Sequence, residues 1–364
     1  MMKAQYNSRC NGGLRTALLV IMALLAVPIP GQAGRILNSV QITPLQIDVS
    51  KAESVQIKWH QTENGRTDVY ICNLNGGIVR TLRQRAAAKR GRQEVFWDGR
   101  DDTGQMCPAG VYLPIIKVQT RHQGSDLFNP TASAWGLRLA DADISYDYAT
   151  QKVTYRLSQP ALCQIRAGKQ NGGPCYKTLT HWEPKAAGEY QVAWDGRDAG
   201  GVTAVWQSKD FALMLDAFSV PAEAILLIGS EAPTRGLSRT EKRFPIKPPH
   251  GGQIFLHAMH RREHCKDMTI KAAWAASGPI KAGLATLLVS AGPDVDLQML
   301  RREQFEIYLF IDGELLFEGP QKQLPASLNI DTTALTNGTH IITVNLRTSE
   351  DHLGAFSLKF MVAN

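Results

Sequence analysis

The stretch His250-Gly-Gly-Gln-Ile-Phe-Leu-His257-Ala-Met-His260-Arg-Arg-Glu-His264-Cys265 holds four of the chain's nine histidines and one of its six cysteines. Imidazole and thiolate ligate zinc or copper, and Met259 adds a soft donor suited to copper. On a helix, His257, His260 and His264 would share one face at i, i+3 and i+7, with Cys265 beside them. The spacing is neither that of a zinc finger nor that of the HExxH metalloproteases. No C-x-x-C-H occurs, so covalent c-type haem is not expected. The competing reading is a polar linker with solvated histidines.

A second constellation occurs twice. VFWDGRDDTG runs from Val95 to Gly104, and VAWDGRDAGG from Val192 to Gly201. Paired aspartates beside an arginine could be acid–base chemistry or a calcium site made of Asp98, Asp101 and Asp102. General acid–base work needs a second acid or a nucleophile with its base, and neither recurs in both copies. The calcium spacing is not that of an EF-hand loop. A structural turn accounts for the residues directly. Trp97 and Trp194 would fill the end of a sandwich with the indole N–H on a carbonyl. Asp98 and Asp195 would accept turn N–H groups, with Asp101 and Asp198 beside them, while Gly99, Gly104, Gly196 and Gly201 take positive φ. A turn is therefore expected, and no catalytic set.

The two copies belong to a longer repeat. Thr81-Leu82 matches Thr178-Leu179, Trp97 matches Trp194, and Gly104 matches Gly201, all at an offset of 97. Short alternating segments, VQIKW, TDVYICNL, IVRTL, QEVFW and VYLPIIKV, answer to VTYRL, LCQIRA, CYKTL, YQVAW and FALMLDAF in the second unit. Strands at this spacing predict an all-β protein of tandem immunoglobulin-like β-sandwich domains. The expected divisions are a signal peptide at 1–33, sandwiches at 34–125 and 135–228, a linker or long loop at 229–267, and a C-terminal sandwich at 268–364. In the last, FEIYLFIDGELLFEG reads as two strands about Asp312-Gly313.

WDGRDDTGQMCPAGVY resembles the immunoglobulin-like domain of flagellar hook-capping and related exported bacterial proteins. Trp97, Asp98, Gly99, Asp101, Gly104, Pro108, Ala109, Gly110 and Tyr112 carry that resemblance. The second copy keeps Trp194, Asp195, Gly196, Asp198 and Gly201 but lacks Pro-Ala-Gly-x-Tyr, so a looser turn is expected there. LNIDTTALTNGTHIITV is similar to another exported module of this kind. The resemblance implies a fold and gives no function.

Lys3, Arg9 and Arg15 precede ALLVIMALLAV (Ala17 to Val27), Pro28, Pro30 and Gly31-Gln-Ala33. That layout is a secretory signal peptide cleaved after Ala33. Export to the periplasm, cell surface or medium follows, with no transmembrane span left after cleavage. Loss of 1–33 lowers the formal charge from +7 to about +4. A nucleic-acid partner is not expected. Arg80, Arg83, Arg85, Lys89, Arg90 and Arg92 form a basic cluster, either a solvated hairpin or a surface for an anionic partner such as a lipid headgroup or acidic glycan. Outside the cytoplasm disulfides are permitted; Cys163–Cys175 across a hairpin is the expected bridge, Cys72–Cys107 a weaker pair, leaving Cys265 over.

The leading expectation is thus an exported, non-enzymatic structural or binding protein of the cell envelope with a protein partner. A metal- or haem-associated accessory protein using 250–265 is the alternative. A carbohydrate-binding module using exposed Trp182 or Trp206 is the third.

Overall fold

The computed structural model describes residues 36–232, 242–247 and 267–364, except 279, 282, 294, 350 and 351. The leader at 1–33 and the His/Cys cluster at 257–265 lie outside the described residues. No helix among the described residues is long and apolar enough to cross a membrane. The described residues are all-β and form three immunoglobulin-like sandwiches, each of two mainly antiparallel sheets.

The first sandwich contains β1 (Leu37–Thr43), β2 (Gln46–Asp48), β3 (Val55–Gln61), β4 (Gly65–Asn73), β5 (Ile78–Ala88), β6 (Gly91–Trp97), β7 (Gly110–Thr120) and β8 (Ser125–Phe128). The second comprises β9 (Asp143–Asp147), β10 (Lys152–Leu157), β11 (Ala161–Lys169), β12 (Cys175–Lys185), β13 (Gly188–Ala193) and β14 (Phe211–Ser219), after which comes β15 (Ile225–Ile228). The third holds β16 (Ile270–Trp274), β17 (Ile280–Lys281), β18 (Leu284–Ala291), a short helix α1 (Leu297–Arg302), β19 (Phe305–Ile311), β20 (Glu314–Gln321), β21 (Ala326–Asp331), β22 (Gly338–Thr348) and β23 (Leu353–Ala363).

The 97-residue offset holds strand by strand. β5 and β12 correspond residue for residue, and β3, β4 and β6 match β10, β11 and β13 within a residue at their ends. The pairing is also shared: β1-β3-β6 answers to β9-β10-β13, and β5-β4-β7 to β12-β11-β14. Alternation explains each half. In β3, Val55, Ile57 and Trp59 are buried while the residues between them are not, which is the pattern of a strand with one core face.

The strand β7 is different. Its first seven residues are all buried. Tyr112, Ile116 and Val118 face the sandwich interior, and Val111, Leu113 and Ile115 face a second core with Leu162, Trp182 and Phe218 of the second sandwich. The continuous apolar run GVYLPII is therefore a strand covered on both faces. Trp182, proposed from sequence as an exposed glycan platform, lies in this shared core at 5% exposure. That reading is corrected.

Two segments depart from the sequence-based divisions. β15, at the end of the span assigned to the second sandwich, is inserted in the first, parallel to β2 and antiparallel to β7. Its Ile225 and Leu227 are fully buried in the first interior. Part of the expected linker is also laid on the first sandwich. Arg243 bridges Gly77, the Phe244 amide donates to the Gly76 carbonyl at 2.8 Å, and Phe244 and Ile246 cover the shared core. In the third sandwich the strand after β22 pairs with it as β23. After β14 the chain instead leaves the second sandwich to complete the first.

The second and third sandwiches meet through specific polar contacts. The Asn345 side chain accepts from the Cys175 amide at 2.8 Å and donates to the Cys175 carbonyl at 2.7 Å. Lys169 Nζ reaches the Gly313 carbonyl at 3.4 Å, in the turn between β19 and β20. That turn is braced by His340, whose Nδ1 lies 2.6 Å from Asp312 Oδ2 and whose Nε2 lies 2.8 Å from the Thr336 carbonyl. Both ring nitrogens face acceptors, so the imidazolium fits best. The Thr336 carbonyl and then the Asp312 carboxylate raise the histidine above its ordinary value of 6.5. A raised folded-state pKa stabilises fully below 6.5, and that contribution is lost as pH rises through the folded value. Thermal melts across this window are expected to show a fall in stability that is smaller in Asp312→Asn. Parallel pH curves for the two proteins would refute the coupling.

Candidate functional site: the paired turns and the cationic face

Both Trp-Asp-Gly-Arg-Asp turns close on themselves in the same way. Trp97 Nε1 donates to the Arg100 carbonyl at 2.8 Å, and Trp194 Nε1 to the Arg197 carbonyl at 2.8 Å. The Asp98 carboxylate accepts from the Arg100 amide at 3.1 Å, and Asp195 from the Arg197 amide at 3.0 Å. The guanidinium groups then fold back, Arg100 onto the Gly104 carbonyl and Arg197 onto the Gly201 carbonyl. Gly99 and Gly196 take φ of 82° and 76°, and Gly104 and Gly201 take 81° and 70°; those values favour glycine.

The acids are spent in the turns rather than gathered around one point. Asp101 Oδ1 accepts from the Thr103 amide and hydroxyl and from the Gln105 amide. Asp102 turns away to the Thr81 amide at 2.8 Å. Asp198 accepts from the Thr203 amide at 2.8 Å. The arrangement is that of a hydrogen-bonded corner. It holds the end of β6 or β13 beside the chain entering the next strand.

The expected looseness of the second turn is corrected by its packing. Tyr112 packs tilted against Trp97 at 5.0 Å between ring centroids and donates its hydroxyl to the Pro108 carbonyl at 2.7 Å. The second copy has no such tyrosine after the turn, yet Tyr146 of β9 reaches Trp194 at 4.9 Å. Trp206 lies so close over Gly196 that any Cβ there would collide with its ring. A residue from a different strand thus fills the place of the missing motif. The sequence signal for it is Tyr146 alone, in a segment where nothing marks a partner for Trp194.

Neither expected disulfide forms, and the pairing explains why. Cys163 lies opposite Glu183, whereas Cys175 lies opposite Gly168, five positions further along β11. Five strand residues span roughly 16 Å, and a disulfide needs Cα atoms within about 7 Å. Cys72 and Cys107 occupy different cores, the first between the sandwiches and the second inside the first sandwich. All four are free thiols. Burial pushes Cys72, Cys107 and Cys163 up to about 12 and Cys175 up to about 11, leaving little thiolate at neutral pH. Iodoacetamide is expected to label all four in denaturant without prior reduction, and only slowly in the native protein. A cross-linked Cys163–Cys175 peptide in the digest would overturn this.

The basic cluster divides into structural and free cations. Arg80 donates to the Asp101 carbonyl at 2.6 Å. Arg83 lies 5.1 Å over the Trp59 ring and donates to Gln93 Oε1 and the Glu94 carbonyl. These two brace the sandwich. Lys89 is exposed at the tip between β5 and β6. Arg85 and Arg90 line a concavity of about 730 Å³ together with Arg66, Arg121 and His122. Arg92 lines a second, of about 720 Å³, with Lys58 and His60. Sequence reading missed Arg66 and Arg121, because they are distant along the chain and meet only where the start of β4 lies beside the turn joining β7 to β8.

The fold is one of tandem immunoglobulin-like sandwiches in which the first two share a core. No family model and no curated protein sequence matches the chain. Among solved structures, a 1.5-MDa bacterial ice-binding adhesin overlaps 91% of this chain and 99% of its own, at 12% identity and TM-score 0.20. A tetra-tandem repeat from the extending region of a large adhesion protein overlaps 90% of this chain and 74% of its own, at 12% and 0.20. Chicken CNTN1 domains FN1–FN3 overlap 88% and 97%, at 9% and 0.19. Overlaps at such TM-scores carry no argument, and the fold assignment rests on the strand pairing described above.

Proposed function

We propose that this chain is an exported, non-enzymatic structural or binding protein that presents its sandwiches for assembly or partner binding in the cell envelope. The observation that carries the reading is the self-closure of both Trp-Asp-Gly-Arg-Asp turns. In both motifs the tryptophan, the first aspartate and the arginine direct their polar groups to their own turn's backbone, which makes them corners of a scaffold. The shared core and the Asn345–Cys175 contact support it further, since they hold neighbouring sandwiches, and hence their outer surfaces, in fixed register. Export rests on the leader-like residues 1–33. Within this reading the cationic face of the first sandwich is the surface offered to an anionic partner.

Fractionation of cells making the full chain tests the proposal. A mature N-terminus at or near residue 34, recovery outside the cytoplasm, and in-situ cross-linking to an envelope component are expected. A full-length cytoplasmic product with its leader retained would sink it.

A further inference from the structure

We infer that the concavity at one end of the first sandwich is a binding site for a linear anionic polysaccharide; the inference names a partner class for the envelope role proposed above. Two strands and two turns build it. The start of β4 supplies Arg66, β5 supplies Arg85, the β5–β6 turn Arg90, and the β7–β8 turn Arg121 and His122. All five side chains are exposed. Among the described residues, none of the four guanidinium groups makes a hydrogen bond or ion pair, although Arg80, Arg83 and Arg100 nearby all do. The single acid in the lining is Glu63.

The backbone beneath these cations is pinned while their charged ends are left free. The Arg85 amide donates to Asp68 Oδ1 at 2.6 Å, with Arg85 itself at φ 46°. The β4–β5 register shifts on either side of Val69, opposite this stretch of β5. The Arg90 amide donates to Asn64 Oδ1 at 2.8 Å, tying the β5–β6 tip to the β3–β4 turn. The Arg121 turn is closed by the Thr120 amide on the Gly124 carbonyl at 2.8 Å. Four like charges around one depression repel one another. A ligand carrying carboxylate, sulfate or phosphate groups relieves that repulsion and matches the planar guanidinium fork.

The lining selects among polyanions. It offers no apolar side chain to insert among lipids. It also contains no Trp, Tyr or Phe on which a nucleic-acid base could stack, His122 being its one aromatic ring. Its neutral lining is hydroxyl and amide, Thr62, Asn64, Gln119 and Thr120, which are the partners of sugar hydroxyls. The second depression is a separate one and carries an acid, Glu94, beside Lys58, His60 and Arg92.

The test uses the purified protein, polygalacturonate and dextran sulfate as probes, and neutral dextran as control. Wild type is expected to bind both anionic chains and not dextran, with affinity falling steeply as salt rises. The variant Arg85→Glu/Arg90→Glu/Arg121→Glu should bind about 100-fold more weakly. Lys152→Glu/Lys209→Glu/Lys322→Glu, the same charge change at exposed sites elsewhere, should bind like wild type, and unchanged melting checks that both variants fold. Failure of wild type to bind either chain, or equal loss in both variants, would overturn the site. So would tighter binding to phosphatidylglycerol vesicles or to oligodeoxythymidine. Because the assay is independent of export, a cytoplasmic location would defeat the envelope role and leave this result standing.

Discussion

A fragment of residues 36–128, ending with β8, is expected not to fold, whereas residues 36–247 should unfold as one cooperative unit. The reason is β15. Between β2 and β7 the first sheet needs a strand that arrives almost a hundred residues after β8. Without it the sheet loses its contact with β2, and the ladder groups of β7 at Gly110–Tyr112 have no partner. Ile225, Leu226 and Leu227 are all within 1% of complete burial. Removing each forfeits about 1.5–3 kcal/mol, and the exposed Val111, Leu113 and Ile115 face of β7 adds to the loss. Total domain stability is on the order of 5–15 kcal/mol, so the deficit is of the same size as the whole. Circular dichroism and denaturant melts of the two fragments decide the matter. A cooperative transition in 36–128 would mean that β15 is an accessory strand.

Trp97→Ala and Trp194→Ala should each cost about 3–5 kcal/mol, the range for emptying a buried aromatic site. The two indoles are 1% and 3% exposed, and each also anchors its turn through the bond to the carbonyl three residues on. The Phe variants separate the two contributions. They keep most of the packing but strand a carbonyl, at about 1–3 kcal/mol. Asp98→Asn, by contrast, leaves an oxygen able to accept from the Arg100 amide at an exposed site, and should change stability by less than about 1 kcal/mol. Urea denaturation of the five proteins gives these differences directly. If Asp98→Asn were as damaging as Trp97→Ala, the turn would be held by its acid, and the corner model would be wrong.

The local level of this structure was open to sequence reading because it is written in short-range pattern. Alternation in VQIKW and VTYRL, the 97-residue offset and the Asp-Gly turns depend on neighbours a few residues apart, and each strand appears where that pattern places it. The same holds for Trp97, Asp98 and Arg100, whose side-chain hydrogen bonds close within two to four residues. Trp182 shows the limit: a tryptophan in a polar-looking stretch, THWEPK, is buried because the first sandwich lies against it. The disulfides show another limit. A hairpin brings cysteines near in sequence, but the register of β11 on β12 decides that Cys163 and Cys175 sit five positions apart.

What the sequence by itself determined, then, is the repeated strands of the first two sandwiches and the two self-closing turns, since backbone geometry and side-chain period act locally. Only the tertiary structure decided that β15 completes the first sandwich and that Tyr146 stands in for a missing tyrosine. It also decided that Arg66, Arg85, Arg90 and Arg121 share one groove while Arg80 and Arg83 serve the core. Those outcomes turn on which surfaces meet across gaps of twenty to more than a hundred residues, and burial of apolar area, being non-directional, leaves no local mark of the partner it will find.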